Sequence, residues 1–228
     1  MPEPLINWLN AQQENMLSLM ADLVNIDSNS FDKAGVDKVA ARLRVFFDNH
    51  GIPYDTIPLT DHGDALRAVV SGGDGNKPIL LCGHRDTVFA TGEVEKRPFS
   101  TRDGKAFGPG VADMKPGLVI NAFILAAFHK FGGHPNPLIG LFTGDEEIGS
   151  PSSKDIIIAE AEKARLAFNS EPSRPSGNIV TQRKGGIFCH CAIKGVAAHS
   201  GGFFTEGRSA IQELAYKIQA LHALTDLE

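Results

Sequence analysis

The chain has 228 residues, 42% of them hydrophobic, and a net charge of −5. That is enough for one large domain, or one and a half, with a real core. The acidic balance and the scatter of the basic residues argue against a dedicated nucleic-acid or anionic-membrane binder, so neither partner is expected.

In chain order, residues 6–26 carry Ile6, Leu9, Met16, Leu19, Met20 and Leu23 at helical spacing. Residues 36–50 repeat the pattern, and Gly51 is a stop signal. Strands are predicted at 52–57, 66–70 and 78–82, the last two joined by a hairpin-type turn at Gly72-Gly73-Asp74-Gly75-Asn76. A long loop spans 87–97, and Asp103-Gly104 makes a second turn. An apolar helix follows at 115–131, then a strand at 138–143, a helix at 150–163 and a strand at 164–169. This alternation predicts an α/β layer with a mixed, largely parallel sheet flanked by helices. A Pro- and Ser-rich linker at 172–177 ends this first domain (1–177). The remainder (178–228) carries an alternating strand at 187–196 and an amphipathic helix at 206–224, with Ile211, Leu214, Ala215, Ile218 and Leu221 expected inward. So short a segment is too small for an independent core, and it reads as an incomplete α+β unit.

The N-terminus has no basic stretch leading into an apolar core, so no signal peptide is apparent. The longest apolar stretch, 117–128, contains Asn121 and is too short to span a bilayer. A soluble cytoplasmic protein is the expectation. Cys82, Cys189 and Cys191 cannot all pair and read as small buried residues in a reducing compartment. A zinc site at Cys189-His190-Cys191 is not expected, because His190 would point away and no second cluster answers it.

The chemistry gathers at strand ends. Leu80-Leu81-Cys82 leads into His84 and Asp86, residues 139–143 lead into Asp145, Glu146 and Glu147, and Leu166-Ala167-Phe168 leads into Glu171. In an open α/β sheet the carboxyl edge is where ligands bind. With Asp113 from the turn at 108–113, these residues form a set of imidazole and carboxylates without thiolate. Such a set suits Zn²⁺, Co²⁺ or Mn²⁺ in a hydrolase, one ion or two. Of the adjacent pair Glu146 and Glu147, one could bind metal while the other faces the attacking water as general base. Asp86 suits a role in holding the other nitrogen of His84. Taken alone, Asp145 reads as an acid at a helix N-terminus and Asp113 as a turn residue.

Three motifs resemble one family: Gly83-His84-Arg85-Asp86-Thr87-Val88, Gly108-Pro109-Gly110-Val111-Ala112-Asp113-Met114-Lys115 and Thr143-Gly144-Asp145-Glu146-Glu147-Ile148-Gly149-Ser150. It is the zinc metallopeptidase family of carboxypeptidase G, aminoacylase, acetylornithine deacetylase and succinyl-diaminopimelate desuccinylase. Ser170-Glu171-Pro172 and Gly195-Val196-Ala197-Ala198-His199-Ser200-Gly201 extend the likeness. Glu171 and Arg97-Pro98-Phe99 resemble the glutamate carboxypeptidase branch. The resemblance implies that His84 and Glu171 bind one Zn²⁺ and Glu147 the other, with Asp113 bridging. It also implies Glu146 as general base, Asp86 as the residue orienting His84, and His199 in a smaller lid that mediates homodimerisation and stabilises an oxyanion. The implied substrate is a small peptide or an N-acyl amino acid. Members of the family are longer, and their chain returns to the catalytic domain with a last metal-binding histidine; here the only histidine after His199 is His222. Deacylase or dipeptidase activity, and a non-catalytic remnant, are the alternative expectations.

Overall fold

The protein is described by a computed structural model covering residues 3–73 and 75–226. It divides into two units, Met1–Asn178 and Ile179–Glu228.

The first unit opens with α1 (Glu3–Asn10), α2 (Gln13–Val24) and α3 (Lys33–His50). The single helix expected at 6–26 is thus two, broken by a turn at Ala11–Gln12. Asp32 caps α3 by accepting from the Gly35 amide, and Gly51 closes it in the left-handed conformation (φ 67°). Then come β1 (Tyr54–Ile57), β2 (Ala65–Val70), β3 (Ile79–His84), the short α4 (Glu93–Lys96) and a hairpin of β4 (Ser100–Arg102) with β5 (Lys105–Phe107). α5 (Lys115–Lys130), β6 (Leu138–Thr143), a 3₁₀ turn at Glu146–Ile148, α6 (Lys154–Lys163) and β7 (Leu166–Asn169) complete the unit.

The main sheet has the order β1-β2-β6-β3-β7. β6 pairs parallel with β3, and β3 parallel with β7, while β2 runs antiparallel to both β1 and β6. Four strands therefore point one way and β2 alone opposes them. The hairpin expected between β2 and β3 is not formed: β6 lies between them. β6 is buried throughout and so takes the centre, where a strand is covered on both faces. Asp74 of that turn lies outside the described residues.

Alternation along the strands distributes the core. Leu81 and Phe142 face a large cluster with Leu23 of α2, Leu43 and Phe47 of α3, and Leu118, Ala122 and Leu125 of α5. Leu80, Ile139 and Leu141 face the other side, against Ile156 and Ile157 of α6. The result is helices on both faces of a mixed sheet.

Two contacts of α5 bear on the carboxyl edge. Asn121, the one polar residue of its apolar run, is fully buried. It donates from Nδ2 to the Cys82 carbonyl (3.1 Å) and accepts from Ser170 Oγ (2.7 Å), tying the residue before Glu171 to β3. Gly117 lets the same segment approach, since a Cβ there would lie 2.2 Å from the Ser170 carbonyl oxygen.

In the second unit, a 3₁₀ turn at Phe204–Glu206 precedes α7 (Ala210–His222), whose first turn is capped by Ser209 accepting from the Gln212 amide. Two expectations fail here. Residues 187–196 form no strand; among the described residues the only ladder contact is the Val196–Arg208 bridge. An alternating pattern needs a partner strand to become one, and none is adjacent in this unit. The α7 face expected inward is exposed at Ile211, Leu214, Ile218 and Leu221, because no other helix or strand in this unit packs on it. Cys189 and Cys191 are likewise exposed rather than buried. All three thiols are free, and burial pushes the half-buried Cys82 up to about 11. Among the described residues no helix is long and apolar enough to cross a membrane.

Gly117→Ala should destabilise the protein by about 1–3 kcal/mol, the cost of overpacking where backbone must shift. Urea denaturation measures it, and an unchanged midpoint would refute the close contact between α5 and Ser170.

Candidate metal centre

Parallel pairing of β3 with its neighbours brings their carboxyl ends together. β3 ends at His84, opposite Thr143 at the end of β6. The ladder continues one step further, with the Arg85 amide donating to the Thr143 carbonyl (2.9 Å). β7 ends at Asn169, and the Ser170 amide donates back to Cys82 O (3.2 Å). Asp113 arrives on the loop before α5, where the fully buried Met114 anchors it beneath β3. The Asp113–Met114 peptide is cis.

His84 is 2% exposed and is the hub. Its Nε2 lies 3.2 Å from Asp113 Oδ1, 3.3 Å from Glu171 Oε1 and 3.6 Å from Glu146 Oε2. Two overlapping sets of atoms are compact enough to grip an ion: His84 with Glu146 and Glu171, and His84 with Asp113 and Glu147. Its Nδ1 faces the Asp86 carbonyl (3.0 Å) and Asp86 Oδ1 (3.3 Å). One ring nitrogen is thus held by Asp86 while the other points into the carboxylates. That arrangement orients a histidine ligand and fixes its tautomer.

Asp86 is fully buried and does more than orient the ring. Its Oδ1 accepts the Glu146 amide (3.1 Å), and its Oδ2 accepts the Glu147 amide (3.1 Å) and the Ser30 hydroxyl (2.7 Å). Burial alone would raise its pKa, but His84, Ser30 and the Glu147 amide outweigh that and hold the carboxyl below its usual range. Arg85, between these two residues, is also fully buried. It donates to the carbonyls of Val36 and Asp64, and burial pushes it down to about 10.

Asp113, Glu146 and Glu147 show the opposite shift. Asp113 is raised by burial and by the charge of Glu171. Glu146 and Glu147 are raised by burial and by neighbouring carboxylates, against a lowering by His84. For His84, burial would lower the pKa, yet the hydrogen bonds and charges of Asp86 and Glu171 push it up to about 11. Without metal, a proton on the imidazole is the cation of this cluster.

Asp145 stands apart. Buried, it accepts from the Ser152 and Ser153 amides (2.7 and 3.0 Å) and the Ser153 hydroxyl (2.5 Å), capping the turn into α6. His199 lies in the second unit, exposed, its Nδ1 accepting from the Gly201 and Gly202 amides (3.2 and 3.1 Å). A neutral ring so held carries its proton on Nε2. Sequence reasoning missed Ser30 and the part played by Asn121. A polar residue within an apolar helix was a signal for Asn121; Ser30 had none.

The sequence model of peptidase family M20/M25/M40 matches residues 80–223. The chain belongs to this peptidase family. Carboxypeptidase G2 of Pseudomonas sp. (strain RS-16) is 30% identical over 206 residues, covering 89% of this chain and 49% of that protein. Succinyl-diaminopimelate desuccinylase of Burkholderia multivorans is 32% identical over 164 residues, covering 64% of this chain and 42% of that one. The chain spans about half the length of the curated relatives it matches. The crystal structure of aminopeptidase PepT from Bacillus cereus shares the fold, with a TM-score of 0.64 at 20% identity over 91% of this chain and 56% of that one.

The titration of His84 gives a pH dependence with a definite sign. In the metal-free protein its folded pKa, about 11, lies above the ordinary histidine value of 6.5. Its contribution to stability is therefore fully present below about pH 6.5 and lost as pH rises through 11. Zinc must displace that proton, so its affinity should rise by about tenfold per pH unit between pH 6 and 8. Chelator-competition titrations measure this, and a flat profile would show that Nε2 of His84 is not a ligand.

Proposed function

We propose that this chain carries the metal-binding part of a hydrolase of peptide or amide bonds, in the manner of a glutamate carboxypeptidase. The observation that carries the reading is the convergence of Asp113, Glu146 and Glu171 within 3.2–3.6 Å of one buried imidazole nitrogen. The donor set fits a zinc ion: an imidazole oriented from behind by Asp86, hard carboxylate oxygens in front, and no thiolate. His84, Asp113, Glu147 and Glu171 would hold one or two ions, with Asp113 able to bridge. Co²⁺ or Mn²⁺ would suit the same donors.

When bound, a divalent ion supplies Lewis acidity, making water a nucleophile near neutral pH and polarising a carbonyl. Glu146 then acts as general base. It is the most distant of the three carboxylates facing Nε2, its side chain is 50% exposed, and its pKa is raised, so it reaches solvent and takes a proton readily. It receives the water's proton and delivers it to the leaving amine. Asp86, hydrogen-bonded to the Glu146 amide, keeps that side chain beside His84. In the second unit, His199 presents an Nε2 donor of the kind that stabilises an oxyanion. A lid role for this unit, and homodimerisation through it, are supported by the exposed apolar face of α7.

The carboxypeptidase reading takes its substrate class from the relative called carboxypeptidase G2. The relative called succinyl-diaminopimelate desuccinylase favours a second reading, an N-acyl amino acid deacylase. Turnover of an N-acyl glutamate against an N-succinyl diamino acid separates the two. Failure to cleave either with zinc present would reject both.

Glu146→Gln should leave zinc content unchanged and lower kcat by about 10²–10⁴-fold. Elemental analysis beside steady-state kinetics tests this; retained turnover would reject Glu146 as the base, and lost zinc would make it a ligand instead.

A further inference from the structure

We infer that Ser30 is a positioning residue of the metal centre, acting through Asp86. The inference rests on the reading of the cluster as a metal site. Ser30 lies in the segment between α2 and α3, far in sequence from every residue of the cluster and outside the family match at 80–223. It is 2% exposed, and its hydroxyl donates to Asp86 Oδ2 at 2.7 Å, the shortest of the hydrogen bonds that carboxylate accepts.

The segment itself is tied to the centre along its length. The Thr87 amide donates to the Ser28 carbonyl (2.8 Å), and Asn29 pairs with Thr87 as a parallel bridge. Asn29 Nδ2 donates to Phe89 O (3.1 Å). Buried Lys115, two residues after Asp113, donates from Nζ to the Ile26 carbonyl (2.8 Å). One stretch of five residues therefore braces both the His84 loop and the loop that delivers Asp113.

Ser30 completes the bracing at the carboxylate. The other donors to Asp86 are His84 and the amides of Glu146 and Glu147, which are the parts to be positioned. Among the described residues only Ser30 reaches Asp86 from outside them, so it sets the rotation of the carboxylate about its last torsion. With that rotation set, Oδ1 serves His84 and Glu146 while Oδ2 serves Glu147. Without it, the carboxylate is free to favour one partner at the expense of another.

Ser28 provides a matched control. It lies in the same segment, 1% exposed, and its Oγ finds no hydrogen-bond partner among the described residues. Two readouts on the full chain test the inference. Ser30→Ala should weaken zinc binding by about 10–100-fold, as loss of outer contacts to a metal site does. In the metal-free protein it should speed hydrogen exchange at the Glu146 and Glu147 amides by about tenfold. Ser28→Ala should change neither. Equal effects of the two substitutions on both readouts, or no effect of Ser30→Ala, would overturn the role of Ser30. If the wild-type protein binds no zinc, the metal reading fails while the exchange measurement still decides Ser30. Should Ser30→Ala not fold, Ser30→Cys, close in size but a weaker donor, carries the test with the same expected direction.

Discussion

A buried carboxylate is costly unless it is paired and hydrogen-bonded, and Asp86 is fully buried. It is tolerated because four donors converge on it: the His84 ring, the amides of Glu146 and Glu147, and the Ser30 hydroxyl. Those donors come from the end of β3, the turn after β6 and the segment after α2. Satisfying one carboxylate thus fixes three separate pieces of chain at the same edge of the sheet. The placing of Glu146 and Glu147 beside His84 follows from that closure.

The cluster in front of His84 has the opposite character. Asp113, Glu146 and Glu147 all have raised pKa values, since each is partly buried among like charges. One imidazolium partly offsets this, its proton held by Asp86 behind the ring and Glu171 in front. A divalent cation offsets it more fully, and must remove that proton to bind. Proton and metal are therefore competitors for the same position. The fold contributes the excess negative charge that makes either one welcome. Asp86 ionises readily while Asp113, Glu146 and Glu147 resist it. This contrast separates the group that braces the site from the groups that would do its chemistry.

Much of this was legible in the residues. His84, Glu146, Glu147 and Glu171 follow apolar runs that become β3, β6 and β7, and the carboxyl edge of parallel strands is a predictable meeting place. Asp145 read alone suggested a helix N-terminus, and it caps the turn into α6. What the residues did not disclose was non-local. The insertion of β6 between β2 and β3 depends on pairings across some 70 positions, and the glycine turn before β3 mimics a hairpin signal. Ser30 has no local mark, because its significance is a single bond to a residue 56 positions away.

The second unit shows the same limit from the other side. α7 has its cap, its amphipathic spacing and its Lys217–Glu213 pair (3.0 Å), so every local signal for a helix is met. Yet Ile211, Leu214, Ile218 and Leu221 face outward, and residues 187–196 alternate without becoming a strand. Periodicity specifies which face seeks burial, whereas burial itself requires a surface to receive it. In the first unit α2, α3, α5 and α6 find that surface in one another and the sheet, and the pattern becomes a core. In the second unit the pattern stays an unmet demand: α7 forms, but the strand at 187–196 and the burial of the α7 face both fail, because each lacks the packing partner that would have made it true.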